Sequence, residues 1–190
     1  MHTAKKQYEM DMCSGSILKK MLLFTLPLML SSILQLLFNA ADIVVVGKFA
    51  GDNALAAVGS NTALINLLTN LFIGFSIGAN VTAARHYGAK CEKDLEETVH
   101  TSIAMSFASG LLLMIVGLIG AKQFLIWMQT PEEVLSLATL YLHIYFIGMI
   151  PNMVYNFGSA LLRAVGDTKR PLYFLLCAGV INVVLNLIFV

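Results

Sequence analysis

The sequence predicts an all-α membrane protein, a polytopic helical bundle with its N-terminus in the cytoplasm, and three observations lead there. Of 190 residues, 58% are hydrophobic and only 12% charged, at a mean hydropathy of +0.79; a soluble domain carries about 25% charge. The chain reads as five apolar runs, each long enough to cross a hydrocarbon core of about 30 Å as a helix. Ten of the twelve basic residues stand in alternate connections: Lys5, Lys6, Lys19 and Lys20; Arg85, Lys90 and Lys93; Arg163, Lys169 and Arg170. Lys48 and Lys122 are alone in the others. The positive-inside rule then sets the orientation.

Residues 1–16 read as a polar cytoplasmic tail, and 17–190 as a transmembrane lobe, incomplete at its C-terminus, with spans at about 17–47, 54–84, 98–124, 132–164 and 171–190. The first run is too long for a signal-peptide core and has no cleavage pattern after it, so it stays as an anchor. Pro27 removes one backbone hydrogen bond and predicts a kink in the cytoplasmic half of span 1. Asp52 or Asn53 is the expected N-cap of span 2, whose Asn66 and Asn70 are followed by Gly74 and Gly78 at a spacing that allows close helix contact. Arg85–Glu97 reads as a solvated cytoplasmic loop with Gly88 as a helix stop. In span 3, Ser102, Ser106, Ser109, Gly110, Gly117 and Gly120 predict a packing seam. Thr130 and Pro131 predict a capped start for span 4, with the proline at its first helical position. Pro151 lies inside that span, and Trp127, Tyr141 and Tyr145 suit an interfacial aromatic belt. Gly166 ends span 4, and Asp167 or Thr168 caps span 5. Three cysteines in tail, loop and span imply no disulfide framework.

Three helices carry polar faces. Ser31, Gln35, Asn39 and Asp42 are spaced four, four and three apart, which puts them on one narrow face at about 100° per residue. Asn152, Asn156, Ser159 and Arg163 make a second stripe, and Asn182 and Asn186 a third. A carboxylate within a span costs roughly 2.5–3.5 kcal/mol on insertion scales, so such groups face a bundle interior or a water-filled path. Asp42 is therefore the leading candidate, beside a plainer reading in which it reaches the headgroups. The asparagines serve equally as interhelical glue or as part of a pathway. Because Asp42, Asn182 and Asn186 fall at similar depth, they form a candidate site for a proton or cation if their helices are neighbours. A carboxylate out of water holds a proton more readily, or Na⁺ together with amide and carbonyl oxygens. The four histidines are scattered, so no metal cluster is expected, Na⁺ at Asp42 apart. The sequence contains no P-loop, nucleotide fingerprint or nucleophile–base–orienter set. No cofactor, nucleic-acid partner or enzymatic activity is expected.

Several stretches resemble the N-terminal half of a multidrug and toxic compound extrusion (MATE) transporter. They are Pro27 with Gln35, Asn39, Asp42 and Gly47; GDNALAAVG at 51–59; AARHYGAK at 83–90; LLRAVGDTKRP at 161–171; and NVVLN at 182–186. The resemblance implies a twelve-helix fold in two lobes, of which this chain supplies about five helices, with the remaining C-terminal lobe as partner. It also implies a lobe cavity in the plasma (inner) membrane where the first-helix acid, Asp42, takes H⁺ or Na⁺ in exchange for an organic cation. Gln35, Asn39, Asn152 and Asn156 belong to the expected substrate cavity, with Pro27, Pro151, Gly166 and Asp167 as structural or gating positions. Many members have Asp where this chain has Asn186, which puts a two-carboxylate relay in doubt. The expected function is a secondary antiporter exporting amphipathic compounds. A lipid or lipid-linked oligosaccharide flippase and a truncated non-transporting module are the alternatives.

Overall fold

The computed structural model describes residues 15–49 and 51–189, so the polar tail with Lys5, Lys6 and Cys13 lies outside the described residues. Every element is a helix: α1 (Ile17–Phe49), α2 (Asp52–Gly88), α3 (Glu92–Trp127), α4 (Glu132–Ile147), α5 (Met149–Ala164) and α6 (Lys169–Phe189). Helices α1, α2 and α3 are each long and apolar enough to cross a membrane, and α4 with α5 makes a fourth such span. Helix α6 occupies the place of the fifth expected run.

Helices α2 to α5 pack on one another, whereas α1 lies mainly against α6 and less against α2. The core is Leu113, Ala121 and Leu125 of α3 with Ala138, Leu142 and Phe146 of α4 and Met149 and Met153 of α5. The small-residue seam of α3 lies where the sequence predicts it. A Cβ on Gly110 would stand 2.7 Å from the Ile150 Cα, and one on Gly117 would fall into the Phe146 ring. Ser102, Ser106 and Ser109 are buried beside them, each hydroxyl donating to a carbonyl of its own helix, which satisfies the hydroxyls without opening the interface.

The expected fourth span is two helices meeting at 49°. The break is at Gly148, not at Pro151. Proline cannot donate to the carbonyl four residues back, but it is tolerated in a helix's first turn. Helix α5 therefore restarts at Met149 with Pro151 in that turn, and Asn152 donates its backbone N–H to the Gly148 carbonyl at 3.2 Å. Pro27, by contrast, lies within one continuous α1.

Several ends differ from the sequence reading. Gly51, at φ +83°, precedes α2, and Asp52 is already its first residue. Pro131 stands at the N-cap of α4 rather than inside it, and Thr130 contributes no cap hydrogen bond. Arg85–Glu97 is mostly helical. Only Ala89–Cys91 link α2 to α3, because Glu, Lys and Ala extend helices as readily as they solvate loops, and Glu92 and Asp94 suit a helix N-terminus. Gly88 is the last residue of α2, yet the left-handed position of that turn is taken by Lys90, at φ +57°. The GxxxG of α2 makes no close contact: a Cβ on Gly74 or Gly78 would meet nothing within 4 Å.

Candidate functional site

Helix α1 has two faces in use, about 60–100° apart on its wheel. Ser32, Gln35 and Asn39 line a cleft of about 400 Å³ whose other wall is α2, through Asn66, Thr69 and Asn70, and whose floor includes Tyr145 of α4. Leu36, Ile65 and Ile73 supply its apolar surface, and none of the residues lining it carries a formal charge. Such a lining offers carboxamides and hydroxyls in an apolar setting, which fixes orientation by hydrogen bonding.

The other face meets α6. A Cβ on Gly179 would lie inside the Phe38 ring, so the two helices touch at that level. Asp42 is one turn beyond Phe38, about 6 Å along the axis, and Asn182 is about 4.5 Å beyond Gly179. Asn186 follows one turn later on α6; its side chain lies outside what is described. Asp42 is half-buried and Asn182 exposed, and both are engaged in contacts. The neighbourhood that a shared cation site needs is thus present between α1 and α6. Asp42 projects between the α6 contact and the cleft face, at a wheel angle between those of Phe38 and Asn39.

Asn152 and Asn156 do not line the cleft. The Asn156 amide donates to the Asn152 backbone carbonyl at 2.9 Å and to its side-chain oxygen at 2.7 Å, which couples the pair along α5. Gly166 and Asp167 build the turn from α5 to α6. Gly166 takes φ +85°, a conformation that favours glycine, and the Asp167 N–H donates to the Leu162 carbonyl at 2.9 Å. The buried Asp167 carboxylate accepts the Lys169 and Arg170 backbone N–H groups at 3.1 Å each, and its second oxygen meets Arg170 Nε at 3.2 Å. It is therefore the cap of α6 that the sequence left between Asp167 and Thr168.

Four polar cleft residues, three from α2 and one from α4, were not assigned to a site from sequence. Asn66 and Asn70 looked like packing residues; Tyr145 was assigned to an interfacial belt; Thr69 carried no signal. The four-residue spacing of Asn66 and Asn70, continuing the manner of Gln35 and Asn39, was the signal available. The asparagines that do act as glue are Asn61, donating to the Ala138 carbonyl at 3.0 Å, and Asn80, donating to that of Ala160. Thr69 is 8% exposed, and its buried hydroxyl has no hydrogen-bond partner, at the wall of the cleft that Tyr145 also lines. Tyr141, one turn before Tyr145, stacks on it with ring centres 6.3 Å apart and planes inclined by 23°.

A second cavity, of about 520 Å³, opens between the ends of α2 and α3, with Asp94 and Glu97 at its polar side and Phe75 and Met105 at its apolar side. No predicted site residue lies in it. Among the described residues no three His, Cys, Asp or Glu side chains cluster as metal ligands.

Known proteins share this architecture. A family model described as MatE matches residues 27–188. The probable multidrug resistance protein YoeA of Bacillus subtilis is 35% identical over 170 residues, 90% of this chain but 37% of that protein. A crystal structure of MATE in the bent conformation superimposes with a TM-score of 0.85 at 26% identity, covering 92% of this chain and 39% of the other. An outward-facing MATE family transporter of the MOP superfamily matches with a TM-score of 0.84 at 26% identity, covering 93% and 39%. The chain thus spans about two-fifths of the length of the proteins it matches. Their helical bundle matches the fold described above, they are named as transporters and resistance proteins rather than enzymes, and the chain belongs to the MatE family, of whose fold it covers the N-terminal lobe.

Proposed function

We propose that this lobe belongs to an ion-coupled efflux antiporter of the plasma membrane, exporting amphipathic organic compounds, cations foremost, in exchange for H⁺ or Na⁺ by alternating access. The observation that carries the reading is that α1 bears both halves of the exchange. Gln35 and Asn39 face the cleft, and Asp42, a turn further on, stands between the cleft face and α6. A ligand in the cleft and a cation at Asp42 would therefore compete for the position of one helix. No residue of α1 is buried, so moving it breaks few packed contacts.

Asp42 would hold the ion together with Asn182 and neighbouring amide and carbonyl oxygens. With one carboxylate at hand, the site suits a proton or a monovalent cation in preference to a divalent one. Occupying it would neutralise Asp42 and draw α1 towards α6. Pro27 lowers the cost of bending within α1. The cleft recognises its compound through amide and hydroxyl groups and through Leu36, Ile65 and Ile73. The cation's charge is met at the Asp42 end.

The test is export by the complete protein under separately imposed pH and Na⁺ gradients. Asp42→Asn should abolish gradient-driven efflux while leaving the protein folded and inserted. Undiminished export by that variant would remove the coupling role.

A further inference from the structure

Helices α2 and α3 run antiparallel from the turn Ala89–Cys91, and the cavity of about 520 Å³ between them is a groove that starts at that turn. Near the turn His86 of α2 stands 3.8 Å from Asp94 of α3. Phe75 and Met105 line the far end, about 16 Å away along each helix. The groove exists because one face of α2 is covered over only part of its length. Ala57 and Phe75 share an azimuth at 100° per residue, yet Ala57 is 3% exposed and Phe75 52%. Helix α4 fastens to α2 at Asn61, through the Ala138 carbonyl, and α5 at Asn80, through that of Ala160, about 100° further round α2. Beyond the break at Gly148 the bundle therefore covers a different side of α2. Gly78, where a Cβ would meet nothing within 4 Å, leaves the groove open in its middle.

The lining selects what fits. Thr82, Thr98 and Ser102 each donate their hydroxyl to a carbonyl of their own helix, so they need no ligand. The carboxylates differ: Glu97 makes no hydrogen bond or ion pair among the described residues, and Asp94 has His86 beside it. No Lys or Arg lines the groove, although Arg85, Lys90 and Lys93 stand in the same stretch of chain. A cleft with one sign of charge and apolar walls concentrates the opposite charge. By the positive-inside orientation the charged end is cytoplasmic and the apolar end lies deeper, which is the polarity of an amphiphile lying along the lipid chains. A phospholipid fits less well, because its phosphate would rest beside two carboxylates with no Lys or Arg to meet it.

We propose that the α2–α3 groove binds a single-chain organic cation, its ammonium group at Asp94 and Glu97 and its alkyl tail along Phe75 and Met105. The volume is that of a small-molecule site. This site stands apart from the exchange reading: the cleft of Gln35 and Asn39 lies on the opposite side of α2 and about 15 Å along its axis, so neither α1 nor Asp42 enters the groove.

The experiment is photolabelling of the complete protein in phosphatidylcholine vesicles with a dodecyltrimethylammonium that carries a diazirine at mid-chain. Label should fall on residues 75–82 and 98–105, and unlabelled dodecyltrimethylammonium should displace it at a concentration at least tenfold below that of dodecylphosphocholine, which has the same tail and ammonium group plus a phosphate. Asp94→Asn combined with Glu97→Gln, both at exposed positions, should weaken labelling about tenfold. Gly78→Leu fills the groove and should abolish it; if that variant does not fold, the acid pair carries the test alone. Asp42→Asn should be labelled like the wild type. Absence of groove label in the complete protein, equal displacement by dodecylphosphocholine, or full labelling of the double acid variant overturns the proposal. Loss of groove label in Asp42→Asn shows one site where two are proposed and overturns it also. Undiminished efflux by Asp42→Asn removes the exchange reading and leaves the groove as it is.

Discussion

Helices α1 and α3 are similar in length, 33 and 36 residues, and both read from sequence as long apolar spans, yet the fold treats them in opposite ways. Helix α3 buries eight residues, all of them Ser, Gly, Ala or Leu, and the backbone of α5 comes to rest on Gly110. Helix α1 buries none and lies along α6, with the Phe38 ring laid on Gly179. Every residue expected to handle the ion or open the cleft from the first span belongs to the loosely held helix. A packed interface has few alternative arrangements, because close-packed cores are bistable at best and not continuously deformable. A helix none of whose residues is buried has fewer packed contacts to break when it moves. On the proposed function, the bundle α2 to α5 is the reference body against which α1 and α6 would move.

The sharpest test of that contrast is a pair of alanines. Gly110→Ala places a methyl group 2.7 Å from the Ile150 Cα and 3.1 Å from the Met149 carbonyl oxygen, and backbone cannot step aside as a side chain can. The expected cost is about 1–3 kcal/mol or somewhat more. Gly74→Ala meets nothing within 4 Å and should instead gain about 1 kcal/mol from helix propensity. Thermal unfolding in detergent reads both. Equal stability of the two variants would mean that the α3–α5 seam is no tighter than the open face of α2.

The same comparison predicts a different result at the α1–α6 contact. Gly179→Leu collides with the Phe38 ring, but that ring belongs to an unburied helix and can turn away, so the stability cost should stay near about 1 kcal/mol. Transport should suffer more than stability, because the collision separates Asp42 from Asn182. Adding Phe38→Ala to the same chain should restore part of the lost efflux. If instead Gly179→Leu destabilises the protein as much as Gly110→Ala does, α1 and α6 are part of the rigid body.

What could be read from the sequence follows the same division. The small-residue seam of α3 was legible because serine and glycine at helical spacing have few other uses in an apolar run. Asp42 was legible because a carboxylate there has an energetic cost that needs a reason. The asparagines were not separable in advance: Asn61 and Asn80 bond backbone carbonyls across the bundle, whereas Asn66 and Asn70 line the cleft. Identical side chains on one helix differ only by their angle to neighbours that the sequence does not place. Tyr145 was not assigned to the cleft for the same reason, since a tyrosine's amphipathic ring suits a headgroup layer and a polar cleft equally well. The break at Gly148 was not foreseen, because residues 132–164 read as one apolar run, and Pro151 in the first turn of α5 ends nothing.

The smallest effect expected from the comparison lies in two turns at the ends of bundle helices. Lys90 after α2 and Gln129 after α3 both sit at φ +57°, in the left-handed conformation that closes a helix end when the following N–H bonds five residues back. Here Cys91 donates to the His86 carbonyl at 3.0 Å and Thr130 to that of Leu125 at 3.1 Å. The turn between α5 and α6 is built in the same way but uses Gly166. A side chain in this conformation costs roughly 1–2 kcal/mol relative to glycine, part of which is offset by glycine's greater freedom in the unfolded chain. Lys90→Gly and Gln129→Gly should therefore each stabilise the protein by up to about 1 kcal/mol. Because neither turn touches the cleft or Asp42, efflux should be unchanged in both. A variant that becomes more stable and also transports differently would show that the bundle is not a passive frame, and that its stiffness sets how far α1 can move.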